Sequence, residues 1–332
     1  MKWLPLLTIL LESTVHFACA QDTFSIVAVD VTTGEAGSAG ASCVPLDIVF
    51  PDGDDDFLGQ LFPGVGAINT QAYYLPANQD NAADRMEMGE TPSEIIRWLV
   101  ANDVDGTPEF RQYGIAGFVD GGTDAAAHTG MSTDDYKGHR LGPNYSIQGN
   151  ILLGPEVLDS MEARFLAAEG DLACKLMAAM QGANMVGADT RCAPYGTSSL
   201  FAFLKVAQPG DTPGDPSFRV SVRTAISDGI EPIDSLQVLF DALKDCGPTT
   251  SIESSSDVEL SVYPNPVSNQ LVITSAIAMA ERYTIIGLDG VVHTSGIIRD
   301  KNTVIEVSNW ADGMYFLATP SKQVPFLIIN NK

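Results

Sequence analysis

The sequence predicts an α+β domain followed by a small all-β sandwich, and three observations carry that reading. Strand-like runs group at both ends of the chain up to Cys246, and a block of helical periodicity lies between them. From Gly247 to Asp257 the chain becomes a tract of small and polar residues that cannot bury a core, which reads as a linker. Beyond it only alternating segments and turn signals recur.

Taken in order, Met1 to Ala20 has the form of an export signal. Lys2 precedes an apolar stretch from Trp3 to Leu11, and Ala18-Cys19-Ala20 offers small residues at a cleavage site. The apolar stretch is about half of the roughly 20 residues a spanning helix needs, and Glu12 interrupts it, so no transmembrane anchor is expected. Lipidation at Cys19 would need a better lipobox than His16-Phe17-Ala18. The domains expected are therefore a signal peptide over 1–20, a mixed domain over 21–247, a linker over 248–258 and an all-β domain over 259–332.

In the mixed domain, strands are expected at Thr23 to Val29, Gly37 to Val44, Val65 to Thr70, Tyr113 to Asp120, Ala125 to Thr129, Ser199 to Val206 and Phe218 to Ala225. Thr91-Pro92-Ser93-Glu94 combines a capping box with proline at the first helical position, and Ile95, Ile96, Leu99 and Val100 supply the apolar face. Further helices fit Pro155 to Ala168, Asp171 to Met180 and Asp234 to Asp245. This grouping suits a sheet covered by helices better than regular β-α-β alternation. In the last domain, strands are expected at Gln270 to Ser275, Tyr283 to Ile286, Val291 to Ser295, Thr303 to Val307 and Met314 to Leu317, divided by turns at Asp289-Gly290 and Asp312-Gly313.

Composition excludes several function classes. A net charge of -24 and 45% hydrophobic residues describe a globular, strongly acidic chain with no electrostatic attraction for nucleic acid or an anionic membrane surface. No zinc-finger or zincin spacing, phosphate loop or serine-hydrolase elbow occurs, so no metal or other cofactor is expected. Asp52-Gly53-Asp54-Asp55-Asp56 offers oxygen atoms to calcium but lacks the EF-hand spacing, and reads as a solvated acidic loop. Cys43, Cys174, Cys192 and Cys246 remain after export, enough for two disulfides in three pairings. The short loop between Cys174 and Cys192 makes them the favoured pair.

Tyr263-Pro264-Asn265-Pro266, Gly287-Leu288-Asp289-Gly290, Gly313-Met314-Tyr315-Phe316 and the closing Phe326-Leu327-Ile328-Ile329 with Lys332 together resemble the C-terminal sorting domain of the type IX (Por) secretion system, an immunoglobulin-like β-sandwich. The resemblance implies passage through the periplasm, handling by the type IX secretion machinery, and a final location at the cell surface or in the medium. An ordinary accessory β-domain that binds carbohydrate or protein is the alternative reading.

Thr23-Phe24-Ser25-Ile26-Val27-Ala28, Ala41-Ser42-Cys43, Gly64-Val65-Gly66-Ala67 with Thr70-Gln71-Ala72, Arg111-Gln112-Tyr113-Gly114 and the segment from His139 to Gly154 look like the domain of unknown function 1028 (DUF1028) family, which is placed among the N-terminal nucleophile (Ntn) hydrolases. The resemblance implies a four-layer α-β-β-α sandwich. It also implies that Thr23, at the head of the first strand, is the nucleophile, activated by its own α-amine once that amine is free. Cleavage after Ala20 leaves Gln21-Asp22 ahead of Thr23, so activity requires their removal.

Uncharged amides can stabilise an oxyanion without being titrated, which makes Gln148 and Asn150 the supporting catalytic candidates and Gln71 a substrate-binding one. Asn69 reads instead as a turn residue. His139 and Arg140 are candidates for holding a substrate carboxylate, whereas His128, in a strand of alanines, reads as a packed histidine. Cys43 with His128 or His139 offers a rival thiolate nucleophile, although its position at the end of an apolar strand reads more simply as a buried or bonded cysteine. Two function classes stay open: an amidohydrolase acting on a small amide or peptide-like compound, and a non-catalytic secreted or cell-surface binding protein on the same scaffold. Assembly into a homo-oligomer is compatible with either.

Overall fold

The computed structural model describes residues 23–51, 53–246, 260–275, 281–287, 291–319 and 323–329. The export signal, Gln21, Asp22, Asp52, the linker tract, the Asp289-Gly290 turn and Lys332 lie outside the described residues.

The chain opens with β1 (Thr23–Val29) and β2 (Ala36–Ser42), an antiparallel pair whose register sets Thr23 opposite Ser42. A short helix α1 (Leu46–Val49) leads to β3 (Gly59–Phe62) and β4 (Gly66–Gln71), then to helices α2 (Pro76–Glu87) and α3 (Pro92–Ala101). The hairpin of β5 (Gln112–Val119) and β6 (Gly122–Thr129) is followed by β7 (Gly138–Leu141) and β8 (Tyr145–Gly149). Helices α4 (Pro155–Ala167) and α5 (Leu172–Gly182), strands β9 (Phe201–Ala207) and β10 (Phe218–Arg223), and helix α6 (Pro232–Leu243) complete the unit.

These strands make two sheets, ordered β10-β9-β2-β1-β8-β7 and β3-β4-β5-β6. Residue alternation along β1 explains how they stack. Phe24, Ile26 and Ala28 bury against Leu158, Met161, Leu176 and Phe240 of α4, α5 and α6, whereas Val27 and Val29 meet Ala67 and Ala116 of the smaller sheet. The other face of that smaller sheet carries Ile68 and Ile115, packed on Met86 of α2 and Ile95 and Leu99 of α3. Small residues let these layers approach closely: a Cβ on Gly37 of β2 would stand 2.5 Å from Cδ1 of Leu176. The start of α3 follows the sequence signal. Thr91 accepts from the Glu94 N–H, the Glu94 carboxylate accepts from the Thr91 N–H at 2.9 Å, and proline occupies the first turn.

The all-strand segment has two sheets of its own. One is β11 (Leu260–Tyr263), β12 (Gln270–Ser275) and β15 (Asn302–Glu306). The other runs β14 (Val292–Ile298), β13 (Glu281–Gly287), β16 (Gly313–Ala318) and β17 (Gln323–Ile328). Leu271, Ile273, Ile285, Ile298, Leu317 and Phe326 fill their common core. The expected sequence of a mixed α/β domain and then an all-β segment is thus what the chain adopts. Among the described residues no helix is long and apolar enough to cross a membrane.

Two expectations need correction. The disulfides join Cys43 to Cys192 and Cys174 to Cys246, not Cys174 to Cys192. The end of β2 and the turn carrying Cys192 are neighbours in space although 149 residues apart, and that adjacency outweighs the short loop. The acidic loop is not merely solvated either. Asp56 is buried and pairs with Lys205 at 3.1 Å and Arg219 at 2.8 Å, Asp54 pairs with Arg219 at 3.1 Å, and Asp55 accepts from Arg223 Nε at 2.5 Å.

Candidate functional site

Thr23 and Ser25 share the face of β1 that looks toward the smaller sheet, and both are wholly buried. Ser25 meets polar groups there. Ser25 Oγ donates to Gln71 Oε1 at 2.5 Å and accepts from Gln148 Nε2 at 2.6 Å, while Ser146 Oγ donates to Gln148 Oε1 at 2.8 Å. Gln148 stands directly opposite Ser25 in the β1–β8 register, and Gln71 ends β4 in the facing sheet. The hydroxyl of Ser25 therefore bridges amides from both sheets.

The same network holds Thr23. Gln71 Nε2 donates to the Thr23 carbonyl at 3.1 Å and to Gln112 Oε1 at 2.7 Å, and the Asn150 backbone N–H donates to that carbonyl at 3.1 Å. Asn150 Nδ2 donates to Gln112 Oε1 at 2.9 Å. Gln112 Nε2 lies at 2.9 Å from the Gly149 carbonyl and 2.9 Å from Thr129 Oγ1. One polar atom is left over. Asn150 Oδ1 is buried and has no hydrogen-bond partner among the described residues, which costs about 1–3 kcal/mol unless a donor arrives.

Backbone strain surrounds these groups. Ala72 (φ 52°) and Tyr73 (φ 43°) directly follow Gln71, and Ile151 (φ 52°) directly follows Asn150. For residues with side chains this left-handed region is costly, most of all for β-branched Ile151, so the surroundings must hold it. They do so by hydrogen bonds. The Tyr73 carbonyl accepts from Arg111 Nη1, and the Ile151 carbonyl accepts from the Thr190 N–H at 3.0 Å. Arg111 is itself fixed, with Nε on buried Asp103 at 2.9 Å and Nη2 on Asp105 at 2.8 Å. Burial opposes ionisation of Asp103, but hydrogen bonds from Arg111, the Thr107 N–H and Asn78 outweigh it and hold the carboxyl below its ordinary range.

Gln71, Gln148 and Asn150 thus meet around Thr23 and Ser25. His139 sits at the margin, its Nδ1 2.9 Å from Thr129 Oγ1, which in turn contacts Gln112. Burial, followed by the charges of His128 and Arg140, pushes its imidazole below the ordinary value, favouring the neutral ring. Arg140 is not brought to the network. It alternates with His139 along β7 and pairs with Asp159 of α4 at 2.6 Å.

The remaining residues have structural places. Asn69 accepts from Ser38 Oγ at 2.6 Å and donates to the Ile26 carbonyl at 3.2 Å. His128 lies 2.8 Å from the Pro108 carbonyl through Nε2, as expected of a packed histidine. Cys43 is bonded to Cys192, so the disulfide form has no thiolate there.

Sequence reasoning missed Gln112, the amide that joins Gln71 to Asn150. Its signal was present, since it stands in the Arg111-Gln112-Tyr113-Gly114 motif. Gly114, two residues on, is required by close approach: a Cβ there would lie 1.8 Å from Gln148 Oε1. Arg191 and Asp189 also escaped notice. They lie in the turn that carries Cys192, whose N-cap is Asp189.

Comparison with known proteins agrees with both motif resemblances. A family model described as a family of unknown function, DUF1028, matches residues 23–228, and one described as a secretion system C-terminal sorting domain matches residues 261–326. The crystal structure of protein SPO2555 from Silicibacter pomeroyi, also assigned to DUF1028, is similar with a TM-score of 0.51 and 22% identity, over 67% of this chain and 88% of that one. At that identity the likeness concerns the fold alone. No curated protein matches.

Proposed function

The chain belongs to the DUF1028 family and carries a secretion-system sorting domain, and from this we propose that it is an exported N-terminal nucleophile hydrolase, cleaving an amide bond in a small or peptide-like substrate through Thr23. The sorting domain directs export to the cell surface or the medium, by way of the type IX secretion machinery. The observation that carries the hydrolase reading is the placement of Thr23. It heads the first strand, its side chain looks between two facing sheets with helices on their outer faces, and buried amides grip its carbonyl. That layering supports a four-layer α-β-β-α sandwich of the Ntn type.

Removal of Gln21 and Asp22 converts the Thr23 amide nitrogen into an α-amine of pKa about 7.7–8.0, a base at neutral pH. The amine takes the Oγ1 proton as Oγ1 attacks the substrate carbonyl, and the oxygen of the tetrahedral intermediate becomes anionic. The intermediate collapses with loss of the leaving amine, which takes the proton from the α-ammonium. Water then cleaves the acyl ester, releasing the acid and restoring Thr23. Neutral amides suit the surroundings of such a reaction. Asn150 Oδ1 accepts a hydrogen bond from the α-amine or from a substrate N–H, and the Gln71 and Gln148 side chains keep the strand head fixed.

One observation favours the alternative, a non-catalytic binding protein: with residues 21 and 22 attached, Thr23 is wholly buried and its nitrogen is acylated. A chain beginning at Thr23 decides between them. Exposed to an acylating β-lactone and weighed intact, it gains one acyl group on Thr23, and a folded Thr23→Ala variant gains none. Equal labelling of both, or of neither, removes the hydrolase reading.

A further inference from the structure

We propose that Arg191 recognises a substrate carboxylate beside Thr23, so that the site selects amides bearing a free carboxylate, such as N-acyl amino acids or peptide C-termini. The inference rests on Thr23 being the reacting residue and adds the chemical class of what it acts on.

The turn from Asp189 to Cys192 is tied down on both sides. On one side Cys192 is bonded to Cys43, just past β2, and Asp189 Oδ2 accepts from the Cys43 N–H at 2.9 Å. On the other side the Thr190 N–H donates at 3.0 Å to the carbonyl of Ile151, just past β8. Strands β2 and β8 are the two neighbours of β1. The turn therefore crosses the end of the sheet at which β1 begins, and Thr23 is the first residue there.

Arg191 points from this turn toward that strand head. Its Nη2 lies 3.3 Å from Ser42 Oγ, and Ser42 is the register partner of Thr23. Directly opposed residues of an antiparallel pair have side chains on the same face, with Cβ atoms about 5 Å apart. Asp189 aims the guanidinium: its side chain is wholly buried, and it accepts from Nε at 3.0 Å and Nη2 at 2.6 Å. The Arg191 side chain keeps 31% of its surface exposed, so it is not sealed in the core. A guanidinium presents its N–H donors in one planar fork that matches the two oxygens of a carboxylate, which is why arginine reads planar anions.

The opposite flank of Thr23 supplies the complementary group. Asn150 follows β8 and presents its buried, unpartnered Oδ1, an acceptor for an N–H. An acceptor on one side and a guanidinium on the other match an amide whose N–H and carboxylate lie a few atoms apart.

The test separates recognition from chemistry. In a folded Thr23→Ala chain beginning at residue 23, chemical-shift titrations compare N-benzoylglycine with its neutral amide. The expected result is at least tenfold tighter binding of the carboxylate, a ratio that collapses to within twofold in Arg191→Gln and is partly kept in Arg191→Lys. No preference in the Arg191 protein, no binding of either compound, or an unchanged ratio in Arg191→Gln overturns the proposal. Discrimination by Arg191 together with failure of Thr23 to take an acyl group would remove the hydrolase reading and leave the recognition site standing.

Discussion

The backbone N–H of Asn150 donates to the carbonyl of Thr23 at 3.1 Å, tying the end of β8 to the first described residue of β1. Gln71 Nε2 reaches the same carbonyl from the facing sheet. The head of β1 is therefore held by groups from two sheets. On the proposed reading, a strand start fixed in this way supplies the pre-organisation that a nucleophile at Thr23 requires.

Gly114→Ala should damage this arrangement from a distance. The new Cβ would stand 1.8 Å from Gln148 Oε1, so Gln148 must leave its bonds to Ser25 and Ser146 or the sheets must part. Overpacking and lost buried hydrogen bonds together predict a loss of about 1–3 kcal/mol in denaturant unfolding. Unchanged stability would mean that Gln148 is not held as described.

Arg111→Met should be more severe. It leaves Asp103, whose side chain is 1% exposed, without its cation and frees the Tyr73 carbonyl that secures the left-handed pair after Gln71. Breaking a buried pair from one side predicts a loss of about 3–5 kcal/mol. A double variant that also replaces Asp103 with Asn should recover part of it, as measured by the same unfolding experiment.

The legibility of this architecture from sequence was uneven for physical reasons. Thr23–Val29 was readable as a strand because its β-branched and apolar residues suit the sheet on both faces, and α3 was readable because Thr91 and Glu94 signal their own cap. Strand β8, Tyr-Ser-Ile-Gln-Gly, was not. Its polar positions are buried against other amides, so the usual inside-outside contrast is missing. Helix α2 was missed for the same reason, since buried Asn78 and Gln79 interrupt its apolar face. Gln71, Gln148 and Asn150 were identifiable as neutral polar residues near glycines. Gln112 stood in a motif too, but its role of joining Gln71 to Asn150 exists only when β5 of one sheet lies against the end of β8 of the other.

Peptide mapping without reduction should find Cys43 joined to Cys192 and Cys174 joined to Cys246. Replacing Cys43 and Cys192 with serine should lower stability by about 2–5 kcal/mol and loosen the turn that carries Arg191. Recovery of a Cys174–Cys192 peptide would contradict the fold around that turn.

His139 gives a pH signature. Its imidazole titrates below the ordinary value of 6.5, chiefly because it is buried. A group depressed in the folded state adds stability that is complete above its unfolded value and is lost as pH falls through the folded one. Unfolding free energy should therefore decline as pH drops below about 6.5, and the decline should be shallower in His139→Asn. A His139 resonance that titrates above 6.5 would reverse this sign and contradict the placement.

The proposed role of Thr23 as an amino-terminal residue is tested by the start of the natively secreted protein, read by amino-terminal sequencing and intact mass. The mature chain should begin at Thr23, with Gln21 and Asp22 absent. A stable secreted form that still begins at Gln21 would contradict it, because an acylated Thr23 nitrogen cannot accept the proton that the chemistry requires.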